Sequence, residues 1–301
     1  MASWQSKLLS LALRWRMKRL LRPGIDVAAV RARMNRIAGR IPSSVEVEAV
    51  SLRNRDGDRL DGEWVRPKHT APTFSVFYLH GGGYFFCSAA THRSITTALA
   101  EKADAEVFAL NYRLAPEHPF PAALHDTLDA YRWLLGNGVS PERLSLMGDS
   151  AGGGLALSAA LSLDDQPGPS SLVLFSPWTD LAATGGSLQD NDRHCAMFNA
   201  SNIPEAARLY AAPAELNDPR VSPLYAPRFE GLPPTLIFVS DAEVLRDDSI
   251  RVADRMREAS VSVVLRLEAG LPHVWPLFYP LLPEARQSID DVTRFALANR
   301  G

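Results

Sequence analysis

The sequence predicts an α/β fold built on a mostly parallel central sheet with helices on both faces. Three features carry that expectation. From Pro72 onward, short apolar runs alternate with stretches of helical spacing, as a parallel sheet with crossover helices requires. Ahead of them, Val45–Val50 alternates apolar and polar residues with period two. The turn Arg55-Asp56-Gly57-Asp58 then leads to a second run near Leu60–Val65, so an antiparallel hairpin is expected at one sheet edge. Finally, 301 residues, 46% of them hydrophobic, suffice for one large core with material left for a lid.

In chain order, Trp4–Leu21 places Trp4, Leu8, Leu11, Trp15 and Leu20 near helical spacing, and Pro23-Gly24 ends the helix. A short helix over Val27–Ala38 follows. Strands are expected at Phe74–Leu79, Glu106–Leu110, Leu144–Met147, Leu172–Phe175, Thr235–Val239 and Val261–Leu265. Helices fit Ile95–Ala103, Ala122–Leu135, Ala151–Leu163 and Pro283–Ala298. Residues 181–228 break the rhythm: they hold no good strand, and helical spacing recurs only near Ile203–Ala212. That is too long for a plain connection, so it reads as an insertion over the carboxyl edge of the sheet.

The net charge of −2 conceals an asymmetry. Residues 1–40 hold ten Lys and Arg against the single acid Asp26, a net +9, which leaves −11 for the remainder. Such an arm can meet anionic lipid or nucleic acid. It can equally lie against its own acidic body, which is the reading preferred because no basic stripe recurs. No nucleic-acid partner is therefore expected. The apolar stretch Leu8–Leu13 is too short for a secretion signal and runs straight into Arg14, Arg16, Lys18 and Arg19. No run approaches a membrane span. Cys87 and Cys195 stand alone, without metal-ligand spacing, as suits a reducing compartment; the expected location is cytoplasmic and no metal site is expected.

Gly148-Asp149-Ser150-Ala151-Gly152 follows an apolar strand and precedes a helix. A serine hydroxyl needs exposure and an adjacent base to become a nucleophile, and a sharp strand-to-helix elbow supplies the exposure. Ser150 is the candidate nucleophile. His80-Gly81-Gly82-Gly83 follows the strand ending at Leu79, where bare backbone can aim N–H groups at a developing oxyanion; Gly82, Gly83 and the amide of Ala151 are assigned to it. His273, in the loop after the last strand, is the candidate base. The acid belongs to the loop after Val239, where Asp241, Glu243, Asp247 and Asp248 compete; the last two look like first-turn residues of the next helix.

These motifs, with Tyr84 and with Tyr112-Arg113-Leu114-Ala115-Pro116-Glu117-His118-Pro119-Phe120-Pro121-Ala122, resemble the hormone-sensitive-lipase family of α/β-hydrolases, in its bacterial esterase branch with a Gly-Asp-Ser-Ala-Gly elbow. The resemblance spans roughly residues 45–300. It implies the α/β-hydrolase fold with a helical cap: cap helices in 1–44, a catalytic domain in 45–180 and 229–301, and a cap insertion in 181–228. It implies esterase activity, usually on short acyl chains, without a metal or organic cofactor; with the motifs above, the expectation is a serine carboxylesterase acting on short-to-medium acyl esters through an acyl-enzyme. The family's Asp-x-Leu-x-Asp motif aligns with Glu243-Val244-Leu245-Arg246-Asp247, which selects Glu243 as the acid although the family usually has Asp there. Amide hydrolysis by the same residues, or a non-catalytic small-ligand receptor on the same scaffold, are the alternatives. The family pattern also favours Trp4 and Trp15 as aromatics covering the pocket over a lipid-docking role for the arm. Tyr84, Phe85, Phe86, Trp178, Phe198 and Tyr210 are candidates for a pocket lining or plain core.

Overall fold

The structure, a computed structural model, describes residues 2–21, 24–164 and 166–301, so the expected helix stop at Pro23 lies outside the described residues. The chain opens with α1 (Trp4–Leu20) and α2 (Val27–Met34), then the hairpin β1 (Val45–Arg53) and β2 (Arg59–Pro67). The alternating part runs β3 (Phe74–Leu79), α3 (Arg93–Ala103), β4 (Ala105–Asn111), α4 (Ala122–Gly136), β5 (Leu144–Asp149), α5 (Ala151–Ala160) and β6 (Ser171–Phe175). The insertion carries α6 (Ser187–Asp190) and α7 (Ile203–Ala211), before β7 (Thr235–Ser240), α8 (Arg246–Glu258), β8 (Val263–Glu268) and α9 (Pro283–Ala298).

The strands form one sheet in the order β1-β2-β4-β3-β5-β6-β7-β8. The pairings β1 with β2 and β2 with β4 are antiparallel, and every pairing from β4 to β8 is parallel. This is the expected α/β class with the hairpin at one edge. Period-two alternation sorts the core into two layers. Val76 and Tyr78 of β3 pack with α3 and α9, through Leu99 and Ile289, whereas Phe77 and Leu79 pack with α4, α5 and α8, through Leu128, Leu155 and Val252. The final strand begins two residues later than its β-branched run suggests. The Val261 N–H closes the end of α8 on the Met256 carbonyl at 2.9 Å, so the chain becomes extended only from Val263.

The N-terminal helices and the insertion meet one another at the carboxyl ends of the strands. Glu205 of α7 accepts the N–H groups of Gly24 and Ile25 at 3.0 and 2.9 Å, and Asn202 donates to the Leu21 carbonyl. Arg31 of α2 binds the Glu117 carboxylate through both Nη atoms and also donates to the carbonyls of Phe85 and Ala115. One guanidinium thus ties α2 to two loops that follow the central strands. Among the described residues no helix is long and apolar enough to cross a membrane.

Candidate active site

Ser150 sits between β5 and α5 with φ +51° and ψ −121°, a conformation that costs a non-glycine residue on the order of 1–3 kcal/mol. The surroundings hold it there. Its N–H donates to the Phe175 carbonyl at 2.8 Å, and its own carbonyl accepts from Gly154 and Trp178 at 3.0 and 2.9 Å. The elbow is tight enough that a Cβ on Gly152 would lie 2.1 Å from the Leu79 carbonyl oxygen, and one on Gly148 would lie 2.3 Å from that of Gly152. Glycine at both positions lets α5 start directly against the end of β3.

That close approach brings the glycine loop beside the elbow. Gly82 adopts φ +115° and Gly83 φ +58°. Among the described residues the N–H groups of Gly82 and Gly83 have no protein acceptor, nor does that of Ala151, the first residue of α5. The N–H of Gly81, by contrast, donates to Asp149 at 3.0 Å. Asp149 is fully buried and also accepts from the Tyr78 hydroxyl at 2.9 Å, with His92 Nε2 at 3.2 Å. Burial opposes its charge, but the neighbouring His92 and the donated hydrogen bonds hold its carboxyl below the usual range. His80 stacks on Tyr112 at 4.3 Å, and the Tyr112 hydroxyl donates to the His80 carbonyl at 2.7 Å. Burial pushes the His80 imidazole down to about 3, so it is neutral and braces the loop. Asp149, His92, Tyr78 and Tyr112 were not singled out as site residues from sequence. The signals available were the place of Asp149 inside the elbow pentapeptide and that of Tyr112 at the head of the Tyr-Arg-Leu-Ala-Pro stretch.

His273 Nδ1 is hydrogen-bonded to the carboxylate of Glu243, and both side chains are buried. The other Glu243 oxygen accepts from Ser176 Oγ at 2.8 Å and from the Ser240 N–H at 2.6 Å. The competing acids have other partners. Asp241 accepts from the Gly270 N–H, Asp247 from the Ser187 N–H of the insertion, and Asp248 from the N–H groups of Thr179 and Asp180. Ser176, another residue missed from sequence, adopts φ +47° and also accepts the Val274 N–H at 3.2 Å. It therefore touches both the acid and the loop that carries the imidazole.

Ser150, His273, Gly82 and Gly83 all line one cavity of about 400 Å³; Ala151 lies buried next to Ser150. Its walls are largely apolar, with Leu13 and Met17 from the first helix, Leu21 just after it, and Met197, Phe198 and Ile203 from the insertion. Phe198 meets the His273 ring edge to face at 4.9 Å. Of the aromatics named from sequence, Phe85, Phe86, Trp178 and Phe198 line the cavity, whereas Tyr84 and Tyr210 stack on each other at 3.6 Å within the core. The expectation that Trp4 and Trp15 cover the pocket is overturned. They are 69% and 61% exposed, because α1 turns Leu13 and Met17 inward and both tryptophans outward.

A family model described as the alpha/beta hydrolase fold matches residues 76–277. The chain is 38% identical over 238 residues to an esterase of Acinetobacter venetianus, with 78% of each chain covered. It is 40% identical over 230 residues to an acetyl-hydrolase of Streptomyces hygroscopicus, with 76% of each covered. The crystal structure of an esterase from the bacterial hormone-sensitive lipase family superposes with a TM-score of 0.90 at 34% identity, over 100% of both chains. The chain therefore belongs to the bacterial hormone-sensitive-lipase family of α/β-hydrolases.

Proposed function

We propose that this carboxylic ester hydrolase works through Ser150, His273 and Glu243 and forms an acyl-enzyme on Ser150. The observation that carries the reading is the hydrogen bond between His273 Nδ1 and the buried Glu243 carboxylate, on a histidine that lines the same cavity as Ser150. A carboxylate on Nδ1 fixes the proton there and leaves Nε2 as the basic nitrogen. Nε2 takes the Ser150 hydroxyl proton while Oγ bonds to the ester carbonyl carbon. The N–H groups of Gly82, Gly83 and Ala151 receive the oxyanion, consistent with their lack of other acceptors. Collapse expels the alcohol, which takes the proton from the imidazolium. Water then attacks the acyl carbon, gives its proton to Nε2, and frees the acid and Ser150.

The helices of residues 1–44 and the insertion 181–228 act in this proposal as a cap that supplies the apolar walls. A cavity of about 400 Å³ suits short-to-medium acyl esters. In a p-nitrophenyl butyrate assay, Ser150→Ala is expected to lose at least about 10³-fold in kcat with unchanged circular dichroism. Near-wild-type turnover in that folded variant would falsify the nucleophile assignment.

A further inference from the structure

The helix α1 has two apolar faces. One, with Leu9, Leu13, Met17 and Leu20, turns toward the body, and Leu13 and Met17 reach the cavity. The other consists of Trp4, Leu8, Leu11 and Trp15, spaced at i, i+4, i+7 and i+11, so they fall in one stripe on the opposite side. These four are 69%, 57%, 62% and 61% exposed. Isolated exposed apolar residues need no explanation, but an aligned stripe ending in two tryptophans does. Ile37 and Leu281 are also exposed and line the cavity. Six of the nine large apolar side chains exposed among the described residues thus belong to α1 or to the cavity wall.

The charges identify what such a face would meet. Lys7, Arg14 and Lys18 flank the stripe on one side, Arg16 and Arg19 on the other, and α1 contains no acid. Among the described residues none of the five forms a salt bridge, although cations elsewhere in the fold, such as Arg31, Arg93 and Arg113, do. Arg14 and Lys18 donate only to the backbone carbonyls of His194 and Asp192, which fixes α1 against the insertion without neutralising it. Arg19 lies over the Trp15 ring at 4.9 Å. Pairing with a second copy of this face would bring like charges together, whereas tryptophan and leucine between unneutralised cations match the apolar boundary beneath an anionic headgroup layer.

We propose that the outward face of α1 docks on an anionic lipid surface, holding the helix whose inner face walls the substrate cavity at the membrane boundary. The test uses the full chain with vesicles of equimolar phosphatidylglycerol and phosphatidylcholine, against phosphatidylcholine alone, at low ionic strength. Wild type is expected to sediment with the anionic vesicles only, and to be released by added salt. The double variant Trp4→Ser/Trp15→Ser and the triple variant Lys7→Glu/Arg16→Glu/Arg19→Glu should each lose at least about tenfold in vesicle affinity. None of these residues lines the cavity, so both should hydrolyse soluble p-nitrophenyl butyrate at the wild-type rate. Wild type left in the supernatant with anionic vesicles, or binding that neither variant weakens, would overturn the proposal. So would a wild-type dimer in sedimentation velocity that the tryptophan variant dissociates, which would make the stripe a self-interface.

Discussion

Ser176 connects the two loops on which the proposed chemistry depends. Its hydroxyl donates to Glu243 while accepting the Val274 N–H, so it fixes the carboxylate and the chain beside His273 at once. Removing a hydrogen bond to a charged group costs about 1.5–3 kcal/mol. Ser176→Ala is accordingly expected to lower kcat roughly 10- to 100-fold, with KM little changed because Ser176 does not line the cavity. Glu243→Gln should cost more, on the order of 10³–10⁴, since a neutral amide cannot stabilise the imidazolium. Asp247→Asn should cost less than about tenfold in kcat, because Asp247 holds the insertion through Ser187 and touches no imidazole. Steady-state kinetics on the three variants decide between the acids; a large loss in Asp247→Asn alone would contradict the choice of Glu243. The sequence offered four carboxylates in one loop, and spacing could not rank them, because which one faces the imidazole depends on how the turn after β7 folds. Ser176 was harder still, since its partners lie 67 and 98 residues away in the chain.

At the scale of elements, the start of α8 carries an unusual proton. Asp248 is buried and accepts two N–H groups, from Thr179 and Asp180, yet burial and then the nearby Asp180 carboxylate push it up to about 8. In the unfolded chain an aspartate titrates near 4. Between those values the folded state keeps a proton that the unfolded state has released, so stability falls as pH rises through that window and levels off above about 8. Asp248→Asn keeps an acceptor for both N–H groups and removes the titration. It is expected to stabilise the protein by roughly 2–5 kcal/mol at alkaline pH and to do little near pH 4. Urea unfolding at both ends of the window checks this; the same pH slope in variant and wild type would contradict it. The helical position of Asp248 was readable from sequence, but its burial was not. The same holds for α1: Trp4, Leu8, Leu11 and Trp15 share one helical face by spacing alone, but so do Leu9, Leu13 and Met17. Periodicity does not say which of two apolar faces turns inward, and it is the face with Leu13 and Met17 that meets the cavity.

Across the whole molecule, the sheet carries residues distant in sequence to one edge. The loops after β3, β5, β7 and β8 bring Gly82 and Gly83, Ser150, Glu243 and His273 together, and the adjacent order of β3, β5, β6, β7 and β8 makes this possible. That much was legible, because each strand announced itself as a short apolar run and each loop by its glycines, acids or histidine. Less legible was the polar brace behind the elbow, where Asp149 joins Tyr78, Gly81 and His92: hydrogen bonds across neighbouring strands leave no periodic trace in a sequence. The most direct test of the central claim is covalent. The protein is treated with diethyl p-nitrophenyl phosphate, and the adduct is located by peptide mass spectrometry. A single diethylphosphoryl group on Ser150, absent in Ser150→Ala and formed far more slowly in His273→Ala, is the expected result. An unmodified Ser150, or inactivation with the adduct on another residue, would contradict the mechanism.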